Sequence, residues 1–283
     1  MGFLQKSLGL CVAGMAALLM VAPVRAQTPS PLAEWQYSSG IQLQRLFMPT
    51  TPTWQVELGV GGAALPAAMG MKRYHVKFGP ALDIRYKNIA FLSTGEGLGA
   101  NLFSFRHISV GGAVTYDTGR SPRQDRKMLE GMGTLHPVPE LKLFATTVLS
   151  KTLPLTIRMD VRKQLKGSNG YIGDIGAYMP MPGSSEKFFW FVGPTVTFAN
   201  TRYMTTYFGV NRNQAHTSHY KYYKAYGGLE SAGFGLSSNY FMTPHFILSG
   251  TAAYSRLLNS AAKSPITQSP NQMILALAIL YKF

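Results

Sequence analysis

The stretch Met273-Ile274-Leu275-Ala276-Leu277-Ala278-Ile279-Leu280-Tyr281-Lys282-Phe283 decides the fold. Successive side chains of a strand point to opposite faces. One face therefore carries Met273, Leu275, Leu277, Ile279, Tyr281 and Phe283, all large and apolar, ending in two aromatics. At 11 residues the segment has the length of a tilted strand crossing a bilayer, about 9–11 residues. A final aromatic on the apolar face is the pattern of the strand that closes an outer-membrane barrel.

The same period of two recurs upstream. Tyr74, Val76, Phe78, Pro80, Leu82, Ile84 and Tyr86 alternate with His75, Lys77, Gly79, Ala81, Asp83 and Arg85. Leu155, Ile157, Met159 and Val161 alternate with Thr156, Arg158, Asp160 and Arg162. Further sets are Ile108, Val110, Val114 and Tyr116, and Phe246, Leu248, Ala252 and Tyr254. A soluble sheet with one wet face alternates too, so the closing strand carries the decision. The mean hydropathy of +0.02 fits strands whose lipid and lumen faces cancel. With 46% hydrophobic and 14% charged residues, the chain is no disordered polyelectrolyte. It also lies below the roughly 25% charged residues of an average soluble domain. The expectation is an all-β, transmembrane, antiparallel up-and-down barrel in the outer membrane of a Gram-negative cell.

Twelve strands are expected, at 54–63, 74–86, 88–94, 98–105, 107–117, 138–149, 153–165, 170–179, 187–199, 222–238, 244–257 and 271–283. If the pair 88–94 and 98–105 fails, ten remain and the loop sides are unchanged. Connections at 64–73, 118–137, 200–221 and 258–270 are long and face outward, with 95–97 and 166–169 as short outer loops. The remaining turns face the periplasm. Residues 1–26 read as a signal peptide: Lys6, an apolar run from Leu8 to Ala22, then Val24-Arg25-Ala26 before the cut. Cys11 lies within that segment, so the exported chain has no thiol chemistry. Residues 27–53, punctuated by Pro29, Pro31, Pro49 and Pro52, read as a periplasmic extension or plug, and residues 54–283 as the barrel.

The chain carries 27 basic against 12 acidic residues; loss of Lys6 and Arg25 with residues 1–26 leaves +13. The outer loops hold Lys72, Arg73, Arg120, Arg123, Arg126, Lys127, Lys166, Arg202, Arg212, Lys221 and Lys263 against Glu96, Asp125 and Glu130, a net +8. Such a rim attracts lipopolysaccharide phosphates. Nucleic acid is an unsuitable partner, because export removes it.

Candidate chemistry is sparse. His107-Ile108-Ser109 has the form of a lipid hydrolase pair, with Asn101 as the nearest orienting group. Parity, however, turns His107 and Ser109 to the lumen, away from lipid. His216 and His219 lack the three or four ligands a metal site needs. Gly95-Glu96-Gly97-Leu98-Gly99 reads as a hairpin turn. No catalytic, cofactor or metal residue is assigned, and no cofactor is expected. Lys77, Arg85, Arg158 and Arg162 are the lumen cations an anion channel would use.

The C-terminal third carries a further pattern: Tyr207-Phe208-Gly209-Val210, Gln214-Ala215, Tyr220, Gly227-Gly228-Leu229, Tyr240, Leu257-Leu258, Ser264-Pro265-Ile266, Gln272 and Tyr281-Lys282-Phe283. With Gly119-Arg120 and Leu129-Glu130-Gly131-Met132-Gly133 upstream, this resembles the MltA-interacting protein family, also called MipA/OmpV, from about residue 54 onward. The sequence departs from the family at Phe246 and at Asn259-Ser260. The resemblance implies an outer-membrane barrel without catalysis. It also implies a scaffold joining a lytic transglycosylase to a penicillin-binding murein synthase, other members being adhesins or general outer-membrane proteins. A small-solute or anion channel is the alternative. A barrel of this kind is recovered in the outer membrane and migrates heat-modifiably on gels; a freely soluble periplasmic monomer would overturn the reading.

Overall fold

The computed structural model describes residues 52–283 apart from 88, 106–107 and 150–153. The proposed signal peptide and residues 27–51 lie outside the described residues. Twelve antiparallel strands among the described residues form a closed barrel in simple sequential order. They are β1 (Trp54–Pro66), β2 (Tyr74–Tyr86), β3 (Ala90–Ser93), β4 (Gly97–Phe105), β5 (Ile108–Asp117), β6 (Val138–Val148), β7 (Thr156–Gln164), β8 (Tyr171–Pro180), β9 (Phe188–Ala199), β10 (Gly228–Phe241), β11 (Phe246–Leu257) and β12 (Asn271–Lys282). The alternation sorts as expected. In β12 Met273, Leu275, Leu277, Ile279 and Tyr281 are exposed on the outer surface, while Gln272, Ala278 and Leu280 are buried inward.

Closure rests on the seam between first and last strands, from Glu57 opposite Lys282 to Ala64 opposite Leu275. Gly59 is required there: a Cβ would stand 1.9 Å from the Ile279 carbonyl oxygen of β12. The Phe283 amide extends the seam by donating to the Val56 carbonyl at 3.0 Å. Tyr281 packs edge-on against Phe283 and Phe246, with centroids 4.9 and 5.2 Å apart. This cluster belongs to an aromatic rim on the turn side of the barrel, as barrel girdles do.

One part of the wall differs from the expected strand list. β3 has four residues, which at ~3.3 Å each reach about 13 Å, short of the ~25 Å apolar band. β2 therefore pairs with β3 only from Asp83 to Tyr86. The ladder stops at Leu82, whose N–H donates to Thr94 Oγ1 at 3.0 Å and whose carbonyl accepts from the Thr94 N–H at 2.9 Å. By the alternation of an antiparallel ladder, Pro80, Phe78, Val76 and Tyr74 turn their backbone groups the same way. No strand among the described residues pairs with that edge. Proline, which lacks the N–H, is tolerated at such an edge. The segment 95–97 is accordingly no outer loop, because the short hairpin ends inside the wall.

The long connections form a cap. Four short helices lie in them among the described residues: α1 (Arg126–Leu129), α2 (Thr201–Phe208), α3 (Arg212–Thr217) and α4 (Asn259–Ala262). The expected strand at 222–238 begins instead at Gly228, and residues 222–227 join the cap. Asn200 caps α2 by accepting from the Tyr203 N–H at 3.0 Å, and Asn211 with Gln214 forms a capping box on α3. Tyr203, Met204, Tyr207 and Phe208 bury one face of α2 against Ile172, Leu257 and Ala261. Leu129 of α1 packs on Ala67, Ala68 and Met71 of the first loop.

The incomplete ladder has a measurable consequence. In lipid discs the amides of Val76 and Phe78 exchange with deuterated solvent faster than those of Ile84 and Tyr86 on the same strand; equal protection would refute the opening.

Candidate functional site

The alternation delivers an unusual load of charge to the lumen. Arg85, Glu96, Lys142, Arg158, Arg162, Asp174 and Glu230 are all buried there. Taking such groups out of water is costly unless they are paired. Glu96, from the tip of the β3–β4 hairpin, accepts from Arg85 Nη2 at 2.6 Å and from Arg158 Nη2 at 3.1 Å. Arg85 also donates to Asp83 through Nε at 2.8 Å. The Arg85 and Arg158 guanidiniums lie 5.3 and 4.8 Å over the rings of Phe91 and Phe144, which pack 5.9 Å apart. Higher up, Arg162 pairs with Asp160 at 3.3 Å and with Asp174, which also accepts from Thr197 Oγ1 at 2.6 Å. Cations and acids from β2, the β3–β4 hairpin, β7 and β8 thus pair across the interior.

Above this lattice the cap is tied to the barrel. Asp117 Oδ2 accepts from the Tyr207 hydroxyl and from Gln164 Nε2, the latter at 2.7 Å; Oδ1 accepts from the Gly119 N–H, also at 2.7 Å. Burial, reinforced by the Asp117 carboxylate, pushes the Tyr207 hydroxyl well above the ordinary tyrosine range, so it stays a donor. Other ties join separate loops. Ser264 Oγ donates to the Phe208 carbonyl at 2.6 Å, Gln214 Nε2 to Met132 at 2.7 Å, and the Tyr220 hydroxyl to Met128 at 2.9 Å. Met132, Val210, Tyr220 and Ile266 form one buried cluster. Between cap and lattice lies a cavity of about 150 Å³. Arg120 enters it because Gly119 adopts φ +67°, where a Cβ would stand 2.0 Å from the Leu135 carbonyl oxygen.

Several residues singled out from sequence fall elsewhere than expected. Arg120, Glu96 and Asp125, counted with the outer charge, are all buried; without them the outer loops carry ten basic residues against Glu130, a net +9. Arg85, Arg158 and Arg162 do face the lumen, and each is engaged by a buried carboxylate; Arg162 also lines the cavity under the cap. Lys77 faces inward and is half-buried. Ser109 faces inward, with its hydroxyl 3.2 Å from that of Ser104; His107 lies outside the described residues. His216 and His219 are exposed, the latter packed 4.0 Å over Tyr220. Tyr207 and Phe208 belong to the cap interior. Gly227 sits where α2 begins, a Cβ meeting the Thr201 amide nitrogen at 2.7 Å. The sequence did hold a sign of α2: Asn200 as a cap, followed by large residues at 203, 204, 207 and 208, a helical spacing.

A closed strand barrel with a lipid-facing apolar surface and an ionic interior defines an outer-membrane β-barrel. A family model described as "MltA-interacting protein MipA" matches residues 58–283, and the chain belongs to that family. It is 26% identical over 242 residues to outer membrane protein OmpV of Vibrio cholerae serotype O1, covering 81% of this chain and 86% of that protein. It is 28% identical over 204 residues to outer membrane protein Omp26La of Vibrio anguillarum, covering 67% and 75%. Among solved structures, an outer membrane channel from Pseudomonas putida F1 aligns with a TM-score of 0.42 at 8% identity, covering 83% of this chain and 97% of that one. The CymD monoaromatic hydrocarbon channel aligns with a TM-score of 0.41 at 10% identity, covering 93% and 98%. The protein resides in the cell outer membrane, as its relatives do.

Glu96 joins two guanidiniums at the centre of the lattice. Glu96→Gln is expected to lower the barrel's stability by about 3–5 kcal/mol, read as a lower urea midpoint of the heat-modifiable band. Glu130→Gln, on the exposed cap, leaves that midpoint unchanged.

Proposed function

We propose that this protein is a non-conducting, non-catalytic interaction protein of the outer membrane that holds a murein hydrolase and a murein synthase together at its periplasmic face. The carrying observation is the ion lattice: Lys142, Arg158 and Arg162 are 0%, 5% and 1% exposed, so the charges that would select ions in a pore are spent on packing. Side chains fill the interior of small barrels in just this way. The family's description by an interaction with MltA supports a murein hydrolase as one partner. Residues 1–26 act as the export signal, and residues 27–53 extend on the periplasmic side, where such partners would meet them. The cationic outer loops contact lipopolysaccharide.

A channel for small anions is the second reading, favoured by the lumen-facing Arg85, Arg158 and Arg162. Planar-bilayer recording separates the two. The purified protein is expected to give no steady conductance, and a reproducible anion-selective current would overturn the sealed barrel. Crosslinking in intact cells is expected to recover a lytic transglycosylase or a penicillin-binding synthase; recovery of neither would reject the scaffold. Amino-terminal sequencing of the mature protein is expected to begin at Gln27.

A further inference from the structure

We propose that the unpaired outer edge of β2 is a binding seam for lipid A, the phosphate-bearing lipid of lipopolysaccharide, whose amide-linked hydroxyacyl chains hydrogen-bond the strand while its phosphates meet the cations of the cap. The inference rests on the reading that the cationic loops contact lipopolysaccharide, and it gives that contact a site.

Backbone chemistry defines the seam. From Tyr74 to Tyr86 the 13-residue β2, at ~3.3 Å per residue and ~45° tilt, descends about 28 Å, the height of the apolar band. The N–H and C=O groups of Val76 and Phe78 point away from β1 and lie about 5 and 9 Å below the level of Tyr74, within hydrocarbon. They have no partner among the described residues. The two side chains are 64% and 78% exposed, so the edge is open to lipid. Hydrocarbon supplies no hydrogen bond, so a molecule lying beside the edge has to. Deeper in the membrane the need ends. Pro80 has no N–H and its carbonyl lies 3.5 Å from Thr94 Oγ1, while Leu82 is met by Thr94 at both its N–H and its C=O.

The edge therefore needs donors and acceptors just below the headgroups. Phospholipid esters at that depth offer acceptors alone. Amide-linked hydroxyacyl chains offer N–H, O–H and C=O, and their hydrocarbon packs on Val76, Phe78 and Pro80. Charge makes a second demand. Lys72 and Arg73 are exposed and lead directly into β2. The loop after β5 folds against the same strand end: the Gln124 carbonyl is 2.8 Å from His75 Nε2, and Leu129 packs on Ala67, Ala68 and Met71. It brings exposed Arg123, Arg126 and Lys127 there, against one exposed acid of that loop, Glu130. Phosphates complement this cluster. A second copy would bring like charge to it, and residues 27–51 balance Glu34 with Arg45.

The test is hydrogen–deuterium exchange of the mature protein in phosphatidylcholine discs, read at Val76 and Phe78. Hexa-acyl lipid A, its dephosphorylated form or phosphatidylglycerol is added at equal mole fraction. Only lipid A is expected to slow both amides, by about tenfold or more. Lys72→Gln combined with Arg73→Gln and Arg123→Gln is expected to raise the lipid A needed for half protection about tenfold or more. Val76→Pro, at an edge position with no ladder bond to lose, is expected to keep heat-modifiable migration and to weaken lipid A about fivefold, read at Phe78. Lipid A retained by the protein without slowing these amides overturns the seam and leaves the loop contact standing; no retention of lipid A overturns both. Equal slowing by phosphatidylglycerol overturns the choice of lipid. Protection without added lipid, shared with amides of residues 27–51 or seen only with two barrels in a disc, assigns the edge to that segment or to a second copy and also overturns the proposal.

Discussion

Hydrocarbon offers no hydrogen-bond partners, so every backbone N–H and C=O crossing it must be satisfied by the protein. The rest of this structure depends on that constraint. It forces β1 to meet β12 along a seam tight enough to demand glycine at position 59, and it ties Phe283 to Val56. It also makes the short β3–β4 hairpin the weakest part of the wall. There Pro80 removes one donor from the exposed edge, and Thr94 substitutes a hydroxyl for the missing strand.

Closure has a second effect. Alternation sends every other residue inward, and in this chain those residues include many ions. Removed from water, they assemble in one lattice around Glu96 and another around Asp174, backed by the Phe91–Phe144 pair. The interior is then closer to a packed core with polar contents than to an aqueous pore. This is why the proposed role rests on the surfaces of the barrel and not on transport through it.

The residues that carry the family pattern acquire a physical meaning in the cap. Tyr207, Gln214, Tyr220 and Ser264 each hydrogen-bond across to another loop or strand, while Phe208, Met132 and Ile266 are buried beneath them. They specify how three long connections lock over the lumen.

The sequence by itself determined the barrel and its inner and outer faces, with the strand number left at twelve or ten. These follow from a period of two, which is a local property of the chain and needs no knowledge of neighbours. The residues at 273–283 and 74–86 were legible for that reason. Tertiary structure decided the rest. That Glu96 lies inside, that Arg85, Arg158 and Arg162 are paired, and that residues 222–227 cap the lumen depend on contacts between segments remote in sequence. Pairing across a lumen leaves no periodic trace along any one strand, so the charges could be placed on a face but not given partners.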